Sequence, residues 1–261
     1  MKTDSVRALY FTGAGTTKAV ALAFCRAIEA PFELVDATPR SCEPRAAHPG
    51  ELLVCAVPSY GGRVPAPFLE RLASMGRASE PVPAVMLVTY GNRAVDDTFI
   101  ELADALDAQG IVPVGAAAVV AHHSLMTNVA EGRPDAQDLA AVEQLARRVR
   151  AALEAAPCVE DARLAQVPGA RPYRAYDGVP FHPVCQADRC VQCGACAALC
   201  PVGAIDPELP EDTDEERCIS CMRCVAACHR GAREIGGGLK LAVARKAFAL
   251  KCAKRCESYL L

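Results

Sequence analysis

The chain has 261 residues, room for about two domains, and balances 28 Lys and Arg against 31 Asp and Glu for a net charge of −3. That balance provides no chain-wide basic field to hold nucleic acid. Fifteen cysteines, with no apolar leader in Met1-Lys2-Thr3-Asp4-Ser5 and nothing near the ~18 apolar residues of a membrane span, argue against a secreted disulfide framework and give cytoplasmic localisation as the expectation.

Residues 6–11, 52–57, 84–89 and 111–121 are short apolar runs that read as buried strands, and residues 32–36 are strand-like. Helical patterns fall between and after them, over residues 16–30, 96–109 and 135–155. The second carries Phe99, Ile100, Ala103 and Leu106 on one face, and the third carries Leu139, Val142, Leu145, Val149 and Leu153. Unbroken apolar strands imply helices on both faces of a parallel sheet, so residues 1–155 read as a doubly wound α/β domain. Ligands of such sheets bind beyond the carboxyl ends of the strands.

The loops at that edge are informative. Thr12, Gly13, Ala14, Gly15, Thr16 and Thr17 link the first strand to a helix N-terminus, a cradle of backbone N–H groups and hydroxyls suited to a phosphate. Gly13 and Gly15, with Asp36 ending the second strand, partly match a dinucleotide fingerprint, but Lys18 stands where its third glycine belongs. Pro58, Ser59, Tyr60, Gly61 and Gly62 follow the third strand; Thr89, Tyr90, Gly91 and Asn92 end and follow the fourth. An aromatic ring beside bare backbone suits a flat isoalloxazine, which favours FMN, although both tyrosines also suit a purely sheet-capping role. His122 and His123 follow the fifth strand as candidate proton donors, or as structural residues. Arg63 and Arg93 suit an anionic ring or substrate, or simply shape their loops.

Residues 156–181 form a proline-rich linker, fairly stiff and expected to pack through Tyr173, Tyr176 and Phe181. Residues 182–236 then hold Cys190-x-x-Cys193-x-x-Cys196-x-x-x-Cys200-Pro201 and, 28 residues on, Cys218-x-x-Cys221-x-x-Cys224-x-x-x-Cys228. This is the ligand spacing of a bacterial ferredoxin with two [4Fe–4S] clusters, in which the fourth cysteine of each run crosses to the other cluster. Cys190, Cys193, Cys196 and Cys228 are thus assigned to one cluster, and Cys218, Cys221, Cys224 and Cys200 to the second. Zinc knuckles are spaced differently. His229 stands where proline usually follows the last cysteine. Residues 182–236 carry nine acidic and five basic side chains, a solvated surface or a guide for a basic partner. Residues 237–261 carry six basic and one acidic, and residues 239–259 read as a basic C-terminal helix. Cys252 and Cys256 within it, like Cys25, Cys42, Cys55, Cys158 and Cys185, read first as small packed thiols.

With Tyr10-Phe11-Thr12-Gly13-Ala14-Gly15, residues 57–65, residues 89–97 and both cysteine runs in view, the chain resembles the EFR1-type flavodoxin–ferredoxin fusions over nearly its whole length. The resemblance implies a flavodoxin-like domain, with a five-stranded parallel sheet ordered 2-1-3-4-5, followed by a small α+β 2[4Fe–4S] ferredoxin domain. Ala14 and Thr16 replace the threonine and asparagine common in flavodoxin phosphate loops, removing one hydroxyl and one amide from the cradle.

The functional expectation is an iron–sulfur flavoprotein for electron transport, metal-binding and FMN-containing. It would pass electrons between the clusters and FMN, and on to a partner redox protein such as a ferredoxin, a flavodoxin or an oxidoreductase. An FMN-dependent reductase of a small molecule fed by the clusters is the alternative, so enzyme status stays open. An oxygen-reporting sensor lacks a DNA-binding element, and no nicotinamide module is visible. A homodimer is compatible with the sequence.

Overall fold

The computed structural model describes residues 3–261. The apolar runs form five parallel strands: β1 (Ser5–Tyr10), β2 (Phe32–Asp36), β3 (Glu51–Pro58), β4 (Val82–Tyr90) and β5 (Ile111–Val120). They lie in the order β2-β1-β3-β4-β5, the flavodoxin-like arrangement. Side chains alternate across the sheet: Leu53, Cys55 and Val57 of β3 enter one core, and Leu52, Val54 and Ala56 enter the other. Helices α1 (Thr16–Ala27) and α4 (Ala136–Ala155) cover one face, the latter started by an Asp135–Asp138 capping box. Helices α2 (Ala66–Ser74) and α3 (Thr98–Ala108) cover the other. Phe68 and Phe99 are fully buried there, each stabilising the fold by roughly 1.5–3 kcal/mol.

Helix α2 was not among the expected elements. It is nine residues long, begins on prolines and buries Arg71, which interrupts its apolar stripe. Arg71 donates to the Pro39 carbonyl at 3.1 Å and the Pro201 carbonyl at 3.0 Å, so the helix ties its own domain to the cysteine-rich module.

The linker packs. It lies along α3, where Asp97 accepts the backbone N–H groups of Ala170 (2.9 Å) and Arg174 (2.7 Å). Asp104 pairs with Arg171 at 2.8 Å and accepts the Tyr173 hydroxyl.

The cysteine-rich module contains β6 (Pro183–Cys185), α5 (Ala195–Ala198), α6 (Arg223–Ala227) and β7 (Arg233–Ile235), with β6 and β7 paired antiparallel. Its sequence repeat is also a backbone repeat. Gln192, Gly194 and Gly203 have φ of 51°, 70° and 64°; Ser220, Met222 and Gly231, 28 residues later, have 53°, 62° and 61°. Both cysteine loops therefore wind through the left-handed region at matching points, and Met222 accepts a conformation that glycine supplies freely in the first loop. Leu125, Met126 and Val129 pack with Met222 and Phe181 in a small core joining the module to the first domain.

The basic tail departs from the single long helix expected. Helix α7 (Gly238–Lys251) stops eight residues early, and the chain then runs extended to β8 (Tyr259–Leu260). This strand pairs antiparallel with β5, Ala117 opposite Leu260, and adds a sixth member to the sheet. The helix ends where Asn92 captures the backbone carbonyls of Cys252 and Lys254. Among the described residues, no helix is long and apolar enough to cross a membrane.

Candidate functional site

The loop from β1 to α1 curls because the Thr12 hydroxyl accepts the Gly15 N–H at 2.9 Å, with Gly15 at φ 94°. Thr12 is itself held from behind: its N–H donates to the Thr38 hydroxyl at 2.9 Å. The hydroxyls of Thr17 and Thr89 share a hydrogen bond of 2.8 Å, joining the loops after β1 and β4. No side chain caps α1, so the first-turn N–H groups of the helix suit an anion.

A small cleft, partly open to solvent, lies against this loop. It brings together Gly13, Ala14, Thr16, Thr17, Pro58, Ser59, Tyr60, Thr89, Tyr90 and Gly91, with His122 and His123 on the far wall. A bare-backbone cradle beside two tyrosines fits a phosphate-bearing aromatic group. The remaining expected residues sit elsewhere. Thr12 and Gly15 shape the cradle from behind. Gly61 lies under the ring of Tyr176 from the linker, and Gly62 packs on Asp96 and Arg174. Asn92 turns away altogether: its Nδ2 donates to the Cys252 and Lys254 carbonyls, each at 2.9 Å, and its Oδ1 accepts the Cys256 N–H at 2.9 Å. The Tyr90 hydroxyl donates to the Glu257 carbonyl at 3.3 Å.

The histidines act in the turn after β5. His122 Nε2 donates to the Thr127 carbonyl at 2.7 Å. His123 Nδ1 accepts the N–H groups of Leu125 (3.3 Å) and Met126 (3.2 Å), and its ring meets Phe248 edge-on at 5.2 Å. Burial, with the charges of His122 and Arg93, draws His123 down to about 4, so it is neutral at physiological pH. Arg63 is committed to Glu101 through two bonds of 2.9 and 2.6 Å and lies over the Tyr173 ring. Arg93 pairs with Asp96.

Two cavities form in the cysteine-rich module. One is lined by Cys190, Cys193, Cys196 and Cys228; the other by Cys218, Cys221, Cys224 and Cys200. Each run thus sends its fourth cysteine to the cavity of the other. Among the described residues, no three His, Cys, Asp or Glu side chains converge as ligands of a single ion; the sulfurs ring two spaces instead. Both crossing sulfurs accept a backbone N–H at 3.2 Å, Cys200 from Ala204 and Cys228 from Ala232. At Cys228, burial raises the thiol pKa but is outweighed by N–H groups of residues 230–233, leaving it below the ordinary value. Burial pushes Cys221 and Cys224 up to about 12, so as free thiols they are inert, and iron must displace their protons.

Two donors mark these spaces as built for anions. Arg233 lines the first cavity and Arg223 the second, and the Nε of each is buried without a hydrogen-bond partner. A thiolate-ligated iron–sulfur cluster carries net negative charge and accepts hydrogen bonds at sulfur, so the residues present fit one in each cavity. Neither arginine stood out in the sequence as a site residue, nor did Cys185, which also lines the first cavity. Aligning the two runs at their 28-residue offset exposes all three: Arg223 matches Ala195, Arg233 matches Ile205, and Cys185 matches Thr213. His229 is exposed. Cys252 is buried and Cys256 donates to the Asn92 carbonyl at 3.5 Å, both packed in the tail.

The second cavity abuts the anion cradle. Gly13 packs so closely on the carbonyl of Cys221 that a Cβ there would overlap its oxygen. Arg223 reaches across to Asp36 at 2.7 Å.

Residues 189–233 match the 4Fe-4S dicluster domain family. No curated protein matches the chain. Among solved structures, a flavodoxin from the domain Archaea aligns at 13% identity, covering 57% of this chain and 99% of its own, with a TM-score of 0.41. The Streptococcus pneumonia TIGR4 flavodoxin aligns at 15% identity, 56% and 98% coverage and TM-score 0.38. The two-electron reduced Megasphaera elsdenii flavodoxin gives 15%, 56%, 98% and 0.36.

Proposed function

We propose that this chain is an electron-transfer protein of the EFR1-type fusion class. In this reading it carries FMN in the cleft beside residues 12–17 and two [4Fe–4S] clusters in the cysteine cages, and it exchanges electrons with a partner redox protein. FMN, when bound, supplies chemistry in one- or two-electron steps. The observation that carries the reading is the seating of the second cage directly on the anion cradle, through Gly13 and Cys221.

The two cages differ in a way that supports a direction in space. Cys200, Cys221 and Cys224 of the second are buried against the first domain, whereas Cys193 of the first is exposed and Val191 beside it is 54% accessible. A partner would meet the first cage at this surface, next to the acidic loop containing Glu208, Glu211 and Asp212. The chain's own residues then hold the second cage close to the nucleotide cleft and out of water. The neutral state of His123 weighs against a proton-donating role there and favours the carrier over the small-molecule reductase. Fifteen unpaired thiols suit a reducing compartment such as the cytoplasm.

Anaerobic purification followed by absorbance spectroscopy and iron, sulfide and flavin analysis tests the reading. About eight irons and one FMN per chain are expected. Protein carrying iron but no flavin after incubation with excess FMN would overturn it. Turnover of NADH on a small acceptor with no added protein would move the assignment to the reductase.

A further inference from the structure

Arg233 is 3% exposed and, among the described residues, forms no ion pair with a carboxylate. Its Nη1 donates to the Thr213 hydroxyl at 2.6 Å, and its Nη2 donates to the carbonyls of Pro210 and of Asp212, the latter at 3.2 Å. Its Nε has no partner. A guanidinium taken out of water needs an anion nearby, because neutral carbonyls alone do not offset the loss of its hydration. The side chain lines the first cysteine cavity. In the β6–β7 ladder it stands directly opposite Cys185, which lines the same cavity.

The second cage is arranged differently. Ile205 takes the place of Arg233 and Thr213 the place of Cys185. The cation that does line the second cavity, Arg223, is paired with Asp36 at 2.7 Å. The module thus lines the first site with a buried cation without a carboxylate, whose charge also reaches Cys218 and Cys224, and lines the second with a cation already neutralised from the neighbouring domain.

We propose that Arg233 is the internal counter-ion of the first cluster and holds that cluster's reduction potential above the value it would otherwise take, making the two clusters electrostatically inequivalent. The inference rests on the reading that each cage binds a [4Fe–4S] cluster. Reduction adds one negative charge to a site that is already negative, and a fixed buried cation favours that charged form more strongly than a surface cation would.

The test is an EPR-monitored anaerobic redox titration of the purified holoprotein, alongside Arg233→Met, Arg233→Lys and Asp36→Asn, with iron and sulfide counted for each. Arg233→Met should move the midpoint of the first cluster to more negative potential by clearly more than that of the second, and Arg233→Lys should give a smaller shift. Asp36→Asn, which frees the charge of Arg223, should move the other cluster's midpoint upward. If both clusters are retained in Arg233→Met and neither midpoint moves, or both move alike, the inference fails. If Arg233→Met loads only half the iron, Arg233→Lys decides: restored loading supports a counter-charge, and continued loss shows that the carbonyl contacts, not the charge, matter. Wild-type protein with no iron or sulfide would instead overturn the cluster reading itself.

Discussion

Gly13 of the anion cradle and Cys221 of the second cysteine cage touch through backbone alone, the one lending the absence of a side chain and the other a carbonyl oxygen. The contact is unforgiving, because backbone on both sides cannot swing away as a side-chain tip can. Gly13→Ala should force the two domains apart at this point, an overpacking cost of about 1–3 kcal/mol. Faster protease cleavage in residues 156–181, with iron content unchanged, is the expected result. An unaltered cleavage rate would show that the contact does not hold the domains together.

The crossing of the fourth cysteines makes a prediction that runs against sequence proximity. Cys228→Ser removes a ligand from the cage of Cys190, Cys193 and Cys196. Iron should fall from about eight to about four per chain as that cluster is lost. Alkylation mapped by mass spectrometry should then label Cys190, Cys193 and Cys196 while Cys218, Cys221 and Cys224 stay protected. The reverse pattern would dismiss the crossed assignment.

Much of this architecture was legible beforehand, and the exceptions have physical causes. Strands β3, β4 and β5 stood out because both faces are covered and their side chains are almost all apolar, whereas β2, at the sheet edge and half exposed, carries Glu33 and Asp36. The crossed assignment of the cysteines rests on the spacing that cluster geometry imposes. Strand β8 was hidden because two residues carry no periodicity; only the free edge of β5 defines them. Asn92 looked like a ligand-edge residue, and in sequence it is one; that the tail returns to take all three of its hydrogen bonds depends on a contact 160 residues away. Arg223 and Arg233 looked like ordinary surface charge because nothing local says that a cavity lies beside them.

Asn92 is buried and supplies three hydrogen bonds to the tail. Asn92→Ala strands two carbonyls and one N–H, at a cost of about 1–3 kcal/mol for each group that water cannot reach. The tail should detach before the rest of the protein unfolds. Brief trypsin treatment should cut at the exposed Lys254 and Arg255 much faster in the variant than in the parent chain, and equal rates would refute the anchoring role.

His123 makes stability depend on pH in a definite direction. Its native pKa is about 4 against an ordinary 6.5, so between these values the unfolded chain binds a proton that the native chain refuses. The contribution is complete above about pH 6.5 and is lost as pH falls through 4, at most about 3 kcal/mol in all. Denaturant melts of the parent chain and His123→Gln across pH 4–7 should show the parent losing stability more steeply on acidification. Parallel profiles would mean that the ring is not held neutral.

The antiparallel pairing of β8 with β5 has a consequence for synthesis. β5 is made before the cysteine-rich module and its sheet partner after it, so the module is in effect an insertion within one sheet. While a ribosome is still translating residues 121–258, the outer edge of β5 offers its N–H and C=O groups to any other extended chain. The doubly wound half is therefore the first to be made and the last to be closed, and until β8 arrives it exposes a sticky edge that chaperones must guard.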